Sequence, residues 1–254
     1  DTTAEDGGAI TGFNVVVTDS SFTNTTAING YGGAIAGINV IVVRSTFNKN
    51  IAKNGGAIAG ENVTVADSHF MDTIANNGGA IYSEEGSAIV TNSTFKDFTA
   101  TNGDGGAIYT SSGNITVIDS NFINTSATGQ YSKGGAIFDY EGSAVIINSK
   151  FTNITTHRGA AIYVNPHNVH NSSFAVIGST FTNTHSSQNG GAIWGGSGEA
   201  ENFTFIVAVS TFNNTTAGEN GGAIYSAVTN GIFDVISSTF NDNSAKGKGA
   251  SIYN

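Results

Sequence analysis

A Gly-Gly-Ala-Ile phrase recurs along this chain, ending at Ile10, Ile35, Ile58, Ile81, Ile108, Ile137, Ile193 and Ile224. Degenerate copies end at Ile162 (Gly-Ala-Ala-Ile) and Ile252 (Gly-Ala-Ser-Ile). Between consecutive copies stands one Ser-x-Phe phrase, formed by Ser20, Ser45, Ser68, Ser93, Ser120, Ser149, Ser179, Ser210 and Ser238 with Phe22, Phe47, Phe70, Phe95, Phe122, Phe151, Phe181, Phe212 and Phe240. Successive Ile marks are 25, 23, 23, 27, 29, 25, 31, 31 and 28 residues apart. A repeat of about 20 to 50 residues specifies stacked like units before any other argument applies.

The residue types decide which unit is stacked. Helical repeats need apolar residues at helical spacing and good helix formers. Here Val, Ile, Thr and Phe dominate, punctuated by Gly and Asn, which favours strands and turns. Leucine-rich repeats share the shorter period but need periodic Leu, which is missing. With the units aligned on Phe, the positions seven and five residues earlier are apolar throughout, from Val15/Val17 and Val40/Val42 to Phe205/Val207 and Phe233/Val235. That period of two marks one face of a strand. Two residues after Phe come Asn24, Asn124, Asn153, Asn183 and Asn214, with Asp72, Asp97, Asp242 and Lys49 in the other units. This is the composition of a turn.

A coil of this length with two or three short strands predicts an all-β fold, a parallel β-helix of about nine or ten coils. Neighbouring coils would lie about 4.8 Å apart, each bonding its backbone to the next. One coil cannot bury its apolar face, so stacking supplies the core. The Phe, Ile and Val columns are expected inside. The Ser column is expected inside or at a corner, hydrogen-bonded along the stack. The Gly pair is expected at a corner that needs positive φ or close packing. A recurring Ser is structural on this reading, since a catalytic Ser occurs once and needs a base. Because the repeats run end to end, residues 1–254 read as one domain, after a polar lead from Asp1 to Asp6.

Composition narrows the function classes. A net charge of -10 opposes nucleic-acid binding, which wants a basic face. No apolar run approaches a membrane span. Cys is absent, which excludes disulfide staples and thiolate sites.

Gly-Gly-Ala-Ile paired with Ser-x-Phe-x-Asn, as in Ser210-Thr211-Phe212-Asn213-Asn214, resembles the adhesin-like surface proteins of methanogenic archaea. It is also similar to the passenger domains of chlamydial polymorphic membrane proteins, which repeat Gly-Gly-Ala-Ile and Phe-x-x-Asn. The chain departs from the chlamydial form by placing Asn mostly two residues after Phe; only Phe47/Asn50 and Phe240/Asn243 fit Phe-x-x-Asn. The resemblance implies a secreted, elongated, right-handed and non-enzymatic β-helix at a cell surface. Its expected partners are copies of itself stacked end to end, the rest of a longer surface protein, glycans, or a host or neighbour cell surface. No cofactor is expected.

Several features compete for a more specific role. The Ile-to-Phe gap is 12 residues in the first three coils, then 14, 14, 14, 19, 19 and 16. The extra residues follow the Ile phrase and should emerge from one edge, where a solenoid often builds its binding face. The longest insertions contain Val164 to Asn171 and Gly195 to Glu201. His167 and His170, with Glu199 or Glu201, form a weak candidate metal set. Glu84, Glu85, Asp139 and Glu141 are expected along the same edge, where a calcium site is conceivable, although no Asp-x-Asp-x-Asp-Gly loop is present. Asp19, Arg44 and Asp67 should form a surface charge ladder. His157-Arg158 has no evident role.

The rival reading is a polysaccharide-binding or polysaccharide-cleaving enzyme using the loops around residues 164–173 and 195–204. The Asn-Thr-Asp, Asp-Asp, His-Gly and Arg-x-Lys signatures of pectin-cleaving β-helices are all missing, so no enzyme is expected. Sequons begin at Asn24, Asn62, Asn92, Asn114, Asn124, Asn153, Asn171, Asn202, Asn213 and Asn214, and outward ones are candidate glycan sites. Neither end of the sequence has room for a solenoid cap, which suggests a piece of a longer passenger or head-to-tail stacking into a filament.

Overall fold

A computed structural model of the chain describes residues 2–167, 169–196 and 200–254. Among the described residues there is no helix, and the strands stack as a parallel β-solenoid of about nine turns. Register follows the sequence phrases. Ile10 pairs with Ile35, Ile35 with Ile58, Ile58 with Ile81, and the file continues through Ile108, Ile137, Ile162, Ile193 and Ile224 to Ile252. The Phe file pairs in the same way, from Phe22↔Phe47 to Phe212↔Phe240. A one-residue slip would turn every inward side chain outward, so alternation fixes this register.

Each coil has two or three straight segments separated by bends, and the bends explain much of the polar punctuation. One bend is the Gly pair. Gly105 has φ +65, and a Cβ there would run into the Ile108 carbonyl oxygen. Gly106 has no such φ, but a Cβ on it would collide with the carbonyl oxygen of Gly135 in the next coil. The first Gly thus supplies conformation and the second supplies clearance. The second bend lies two residues after Phe, where Asn24, Lys49, Asp72, Asp97, Asn124, Asn153, Asn183, Asn214 and Asp242 all have φ between 50° and 61°. Asn and Asp tolerate this left-handed region best among residues with a Cβ.

A third left-handed bend lies three residues before Phe. Asp19, Arg44, Asp67, Asn92, Asp119, Asn148, Gly178, Val209 and Ser237 occupy it, with φ from 43° to 62°. The sequence predicts only a charge ladder here, at Asp19, Arg44 and Asp67. The ladder exists at its start, where Arg44 Nε donates to Asp19 Oδ1 at 2.7 Å on the exposed surface. The column's shared property, however, is backbone conformation. Val209 is its misfit, since a β-branched residue is strained at positive φ.

Inside, the Ile, Val and Phe columns form one continuous apolar core. In the first three coils a single nine-residue strand runs through, as in Ile35–Val43 and Ile58–Ala66. From the fourth coil this strand is interrupted by the inserted residues, giving pairs such as Ile81–Ser83 and Ala88–Thr91. The two branches diverge from Ile58–Ala66, which pairs with both.

Candidate binding surface

The repeated residues resolve into ladders. Eight successive pairs link the nine Phe rings in one file, with centroids 4.7 to 5.0 Å apart and interplanar angles of 2° to 10°. Phe47 through Phe212 are fully buried, whereas the end rings Phe22 and Phe240 are half-buried. The Ser hydroxyls form a second ladder. Each Oγ donates to the carbonyl two residues earlier, as in Ser120 to Ile118 at 2.8 Å. The eight from Ser45 to Ser238 also accept a backbone N–H from the preceding coil, beginning with Ser20 N–H to Ser45 Oγ and ending with Ser210 N–H to Ser238 Oγ. Both hydroxyl functions are therefore spent on the corner, and no base stands against the Ser in these bonds.

Most sequon asparagines sit at bends, but Asn62 lies within the strand Ile58–Ala66 and Asn213 ends the strand Thr211–Asn213; Asn213 is half-buried and the others exposed. Several use the amide nitrogen that would carry a glycan. Asn124 Nδ2 donates to Asp97 at 2.8 Å, Asn153 to Asn124 at 3.0 Å, and Asn214 to Asn183 at 2.8 Å. Asn62 donates to Asn39, Asn92 to Asp67, and Asn202 to Asn171. Asn114 and Asn213 accept from Ser143 and Asn241. Asn24 is exposed at the first such turn. A glycan on a laddered Asn would take one of its two Nδ2 hydrogens and leave the other for the rung.

The inserted residues do emerge on one edge, but they do not gather the expected acids. Glu84 and Glu85 are exposed there, whereas Asp139 is buried. Strand alternation explains the correction: in Ile137–Tyr140 the Ile points inward, Phe138 outward and Asp139 inward again. Asp139 Oδ1 accepts the Thr110 hydroxyl at 2.6 Å, and its Oδ2 has no partner. Burial pushes its carboxyl up to about 7, against the lowering effect of the Thr110 bond. Among the described residues no three His, Cys, Asp or Glu come together to hold a metal. Instead His170 Nδ1 lies 3.2 Å from Glu201 Oε2, and the His167 ring stacks on Tyr140 at 5.8 Å. Glu199 lies outside the described residues. His157 and Arg158 tie one Gly corner to the next, through His157 Nδ1 to Ser187 Oγ at 2.7 Å and Arg158 Nε to Gln188 Oε1 at 2.5 Å.

Sequence reasoning missed an outward aromatic file. From the fourth coil the residue after the Ile mark is always aromatic: Tyr82, Tyr109, Phe138, Tyr163, Trp194, Tyr225 and Tyr253. Successive centroids are 5.0, 5.0, 5.6, 4.2, 6.1 and 5.2 Å apart. The signal was legible one position beyond the phrase already in hand. Mid-file the rings are covered: Lys133 Nζ sits 5.7 Å from the Phe138 centroid and 5.5 Å from Tyr163. Burial raises the Tyr109 hydroxyl to about 12 and moves Tyr82 and Tyr163 further in the same direction.

In the first three coils the same column holds Thr11, Ala36 and Ala59. The missing rings leave a groove of about 470 Å³ with a Gly and Ala floor. Tyr31 leans in from its corner and meets Tyr82 at 5.7 Å, while Phe13 and Ile38 stand on the same groove. Asp6, Glu61 and Glu84 complete the lining. Asp6 Oδ1 accepts the Tyr31 backbone N–H at 2.8 Å, so it also fixes Tyr31 in place.

The position three residues after Phe, where two units carry the Phe-x-x-Asn pattern, faces inward. It contains Asn50, whose Nδ2 donates to the Phe22 carbonyl oxygen and to Thr25 Oγ1. Asn243 acts alike, donating to the Phe212 carbonyl oxygen at 3.2 Å and accepting from the Thr215 hydroxyl at 2.7 Å. No curated protein and no solved structure matches the chain. The Chlamydia polymorphic membrane protein (Chlamydia_PMP) repeat matches residues 44–61 and 237–254, and each match contains one of these two Phe-x-x-Asn units with the Ile phrase that follows it. The chain is thus a β-solenoid similar, at those two units, to the Chlamydia polymorphic membrane protein repeat family.

Proposed function

We propose that this chain is a non-catalytic structural and adhesive element at a cell surface, a stiff stalk that presents its edges to partners. The observation that carries the reading is the unbroken register of the Phe and Ser ladders through all nine units, despite coil lengths from 23 to 31 residues. Such a stack is stiff along its axis and leaves loop lengths free on one side. The repeat match and the solenoid fold fit a surface protein of adhesin type.

The test immobilises the purified chain on beads and measures attachment to cells and to a glycan array, with reducing-sugar release followed in parallel. Saturable attachment without sugar release is the expected result. Sustained release of sugar would replace this reading with the polysaccharide-cleaving one, and neither attachment nor release would leave a scaffold without adhesion.

A second reading, association of copies, has its own support. The outer face of the strand before Ser-x-Phe carries Val16, Ile41, Ile89, Ile177 and Ile236, each 38% to 66% exposed. They fall in two neighbouring columns, the first broken by Thr64 and Thr116, and exposed apolar residues gathered on one face are candidates for an interaction surface. Side-by-side pairing is the association this face would serve. Sedimentation of wild type against an Ile89→Glu/Ile177→Glu variant tests it, with loss of a concentration-dependent dimer expected only in the variant.

A further inference from the structure

The groove beside Tyr31 deserves a partner of definite chemistry, because its parts make conflicting demands on any other occupant. Its floor and walls are apolar, formed by Ala36, Ala59, Phe13 and Ile38. Its lining nevertheless holds three carboxylates and, among the described residues, no Lys, Arg or His. An apolar ligand would fill the floor but strip water from Glu61 and Glu84 without compensation. A small hydrated metal ion would satisfy the acids and waste the aromatic walls. A guanidinium satisfies both, since it donates hydrogen bonds to carboxylates from its edge and stacks its face on an aromatic ring.

Length selects among sources of that group. The ring-free column spans three coils, roughly 14 Å at about 4.8 Å per layer. That is the length of about four extended residues at about 3.3 Å each. The file of rings ends at Tyr82, and Tyr31 lines the groove at a 50° tilt to that ring with 40% of its surface exposed.

The geometry points to this groove as the seat of an arginine side chain on an extended segment of a partner polypeptide, its guanidinium held by Glu61 and Glu84 and stacked against Tyr31. Asp6 serves as a positioning residue, since its Oδ1 is committed to the Tyr31 backbone N–H. The net charge of -10 draws basic segments toward the whole rod, and the groove supplies the selective contact. The inference rests on the adhesive reading and names the chemistry of one of its contacts.

The probe is the blocked peptide acetyl-Gly-Arg-Gly-amide, titrated by NMR with ring-labelled tyrosine. Saturable binding that shifts the Tyr31 resonance is expected. The citrulline counterpart, of the same shape and uncharged, should bind about tenfold more weakly, as should Glu61→Gln/Glu84→Gln with the arginine peptide. Tyr31→Ala should weaken binding comparably. Asp119→Asn/Asp242→Asn, which removes equal charge elsewhere, should change nothing. All these side chains are exposed, so circular dichroism of each variant should match wild type. Equal weakening by the remote pair would reduce the effect to diffuse attraction and overturn the proposal, as would no binding at all. If agmatine binds as well as the peptide, the polypeptide assignment falls. If cells attach equally to wild type and the Glu61→Gln/Glu84→Gln variant, the groove is not the adhesive contact, while adhesion itself stands.

Discussion

Deleting one ring from the middle of the Phe file is the sharpest test of what holds the rod together. Phe122 is fully buried, with Phe95 and Phe151 each 4.9 Å away at angles of 4° and 3°. Phe122→Ala removes a whole buried ring between two coils that cannot close the gap, because both are held by backbone ladders on either side. Core Phe→Ala changes cost roughly 3 to 5 kcal/mol, and the upper part of that range is expected here. The comparison is Phe240, which is half-buried and meets one ring, Phe212, at 4.9 Å. Half the burial and one stacking pair give about 2 kcal/mol for Phe240→Ala. Equilibrium urea unfolding measures both. With a slope of about 3 kcal/mol per molar, the midpoint should fall by about 1.4 M for Phe122→Ala and by about 0.7 M for Phe240→Ala. The slope must be unchanged in both variants, since a long repeat array can lose cooperativity. Equal shifts for the two variants, or a loss below about 1 kcal/mol for Phe122→Ala, would refute the claim that stacked rings carry the interior.

Further outcomes follow from the polar ladders and bends. Ser120→Ala leaves the Ser93 N–H without its acceptor at a buried corner, which should cost about 1 to 3 kcal/mol in the same assay. Val209→Asn should stabilise by about 1 kcal/mol, because Val209 has φ 53 and Asn already serves at the same bend in Asn92 and Asn148; a destabilised variant would show that the Val side chain contributes more than its strain. Asp139 has a folded carboxyl raised to about 7 from an ordinary 3.8, so the folded state binds its proton more tightly than the unfolded chain. Its contribution to stability is complete below about pH 4, falls as pH rises through about 7, and is then flat. Comparing melting temperatures of wild type and Asp139→Asn across that window should show the difference widening in favour of the variant toward neutral pH. If the chain is made in a glycosylating host, mass spectrometry should find Asn124 and Asn153 rarely occupied together, since they stand in adjacent layers about 4.8 Å apart and two glycans would crowd each other.

The fold was legible because the coil imposes a period on whatever it buries. The Phe, Ser and Ile phrases each supply one inward or corner position per layer, so their recurrence gave the solenoid directly. What escaped notice was defined by conformation or by alternation instead of identity. The bend three residues before Phe holds Asp, Arg, Asn, Gly, Val and Ser, which share only a left-handed backbone. Asp139 looked like an edge acid because it follows the Ile phrase, yet two steps along a strand return the side chain to the interior. The outward rings and the small residues that replace them were present in the letters, but the wall that Tyr31 adds to the groove comes from a different corner, where it reaches across to Tyr82. No spacing rule within one unit reveals that contact.

The straight passage of Ile35–Val43 and the interrupted passage of Ile81–Ser83 and Ala88–Thr91 solve the same problem with different amounts of chain. The layers above and below a given insertion keep their pairing, so that seam can accept or shed residues without retuning the rest. Variation and constraint are thereby assigned to opposite sides of one polypeptide: the dry side is fixed by its neighbours, and the seam is free to diverge wherever a new contact is useful.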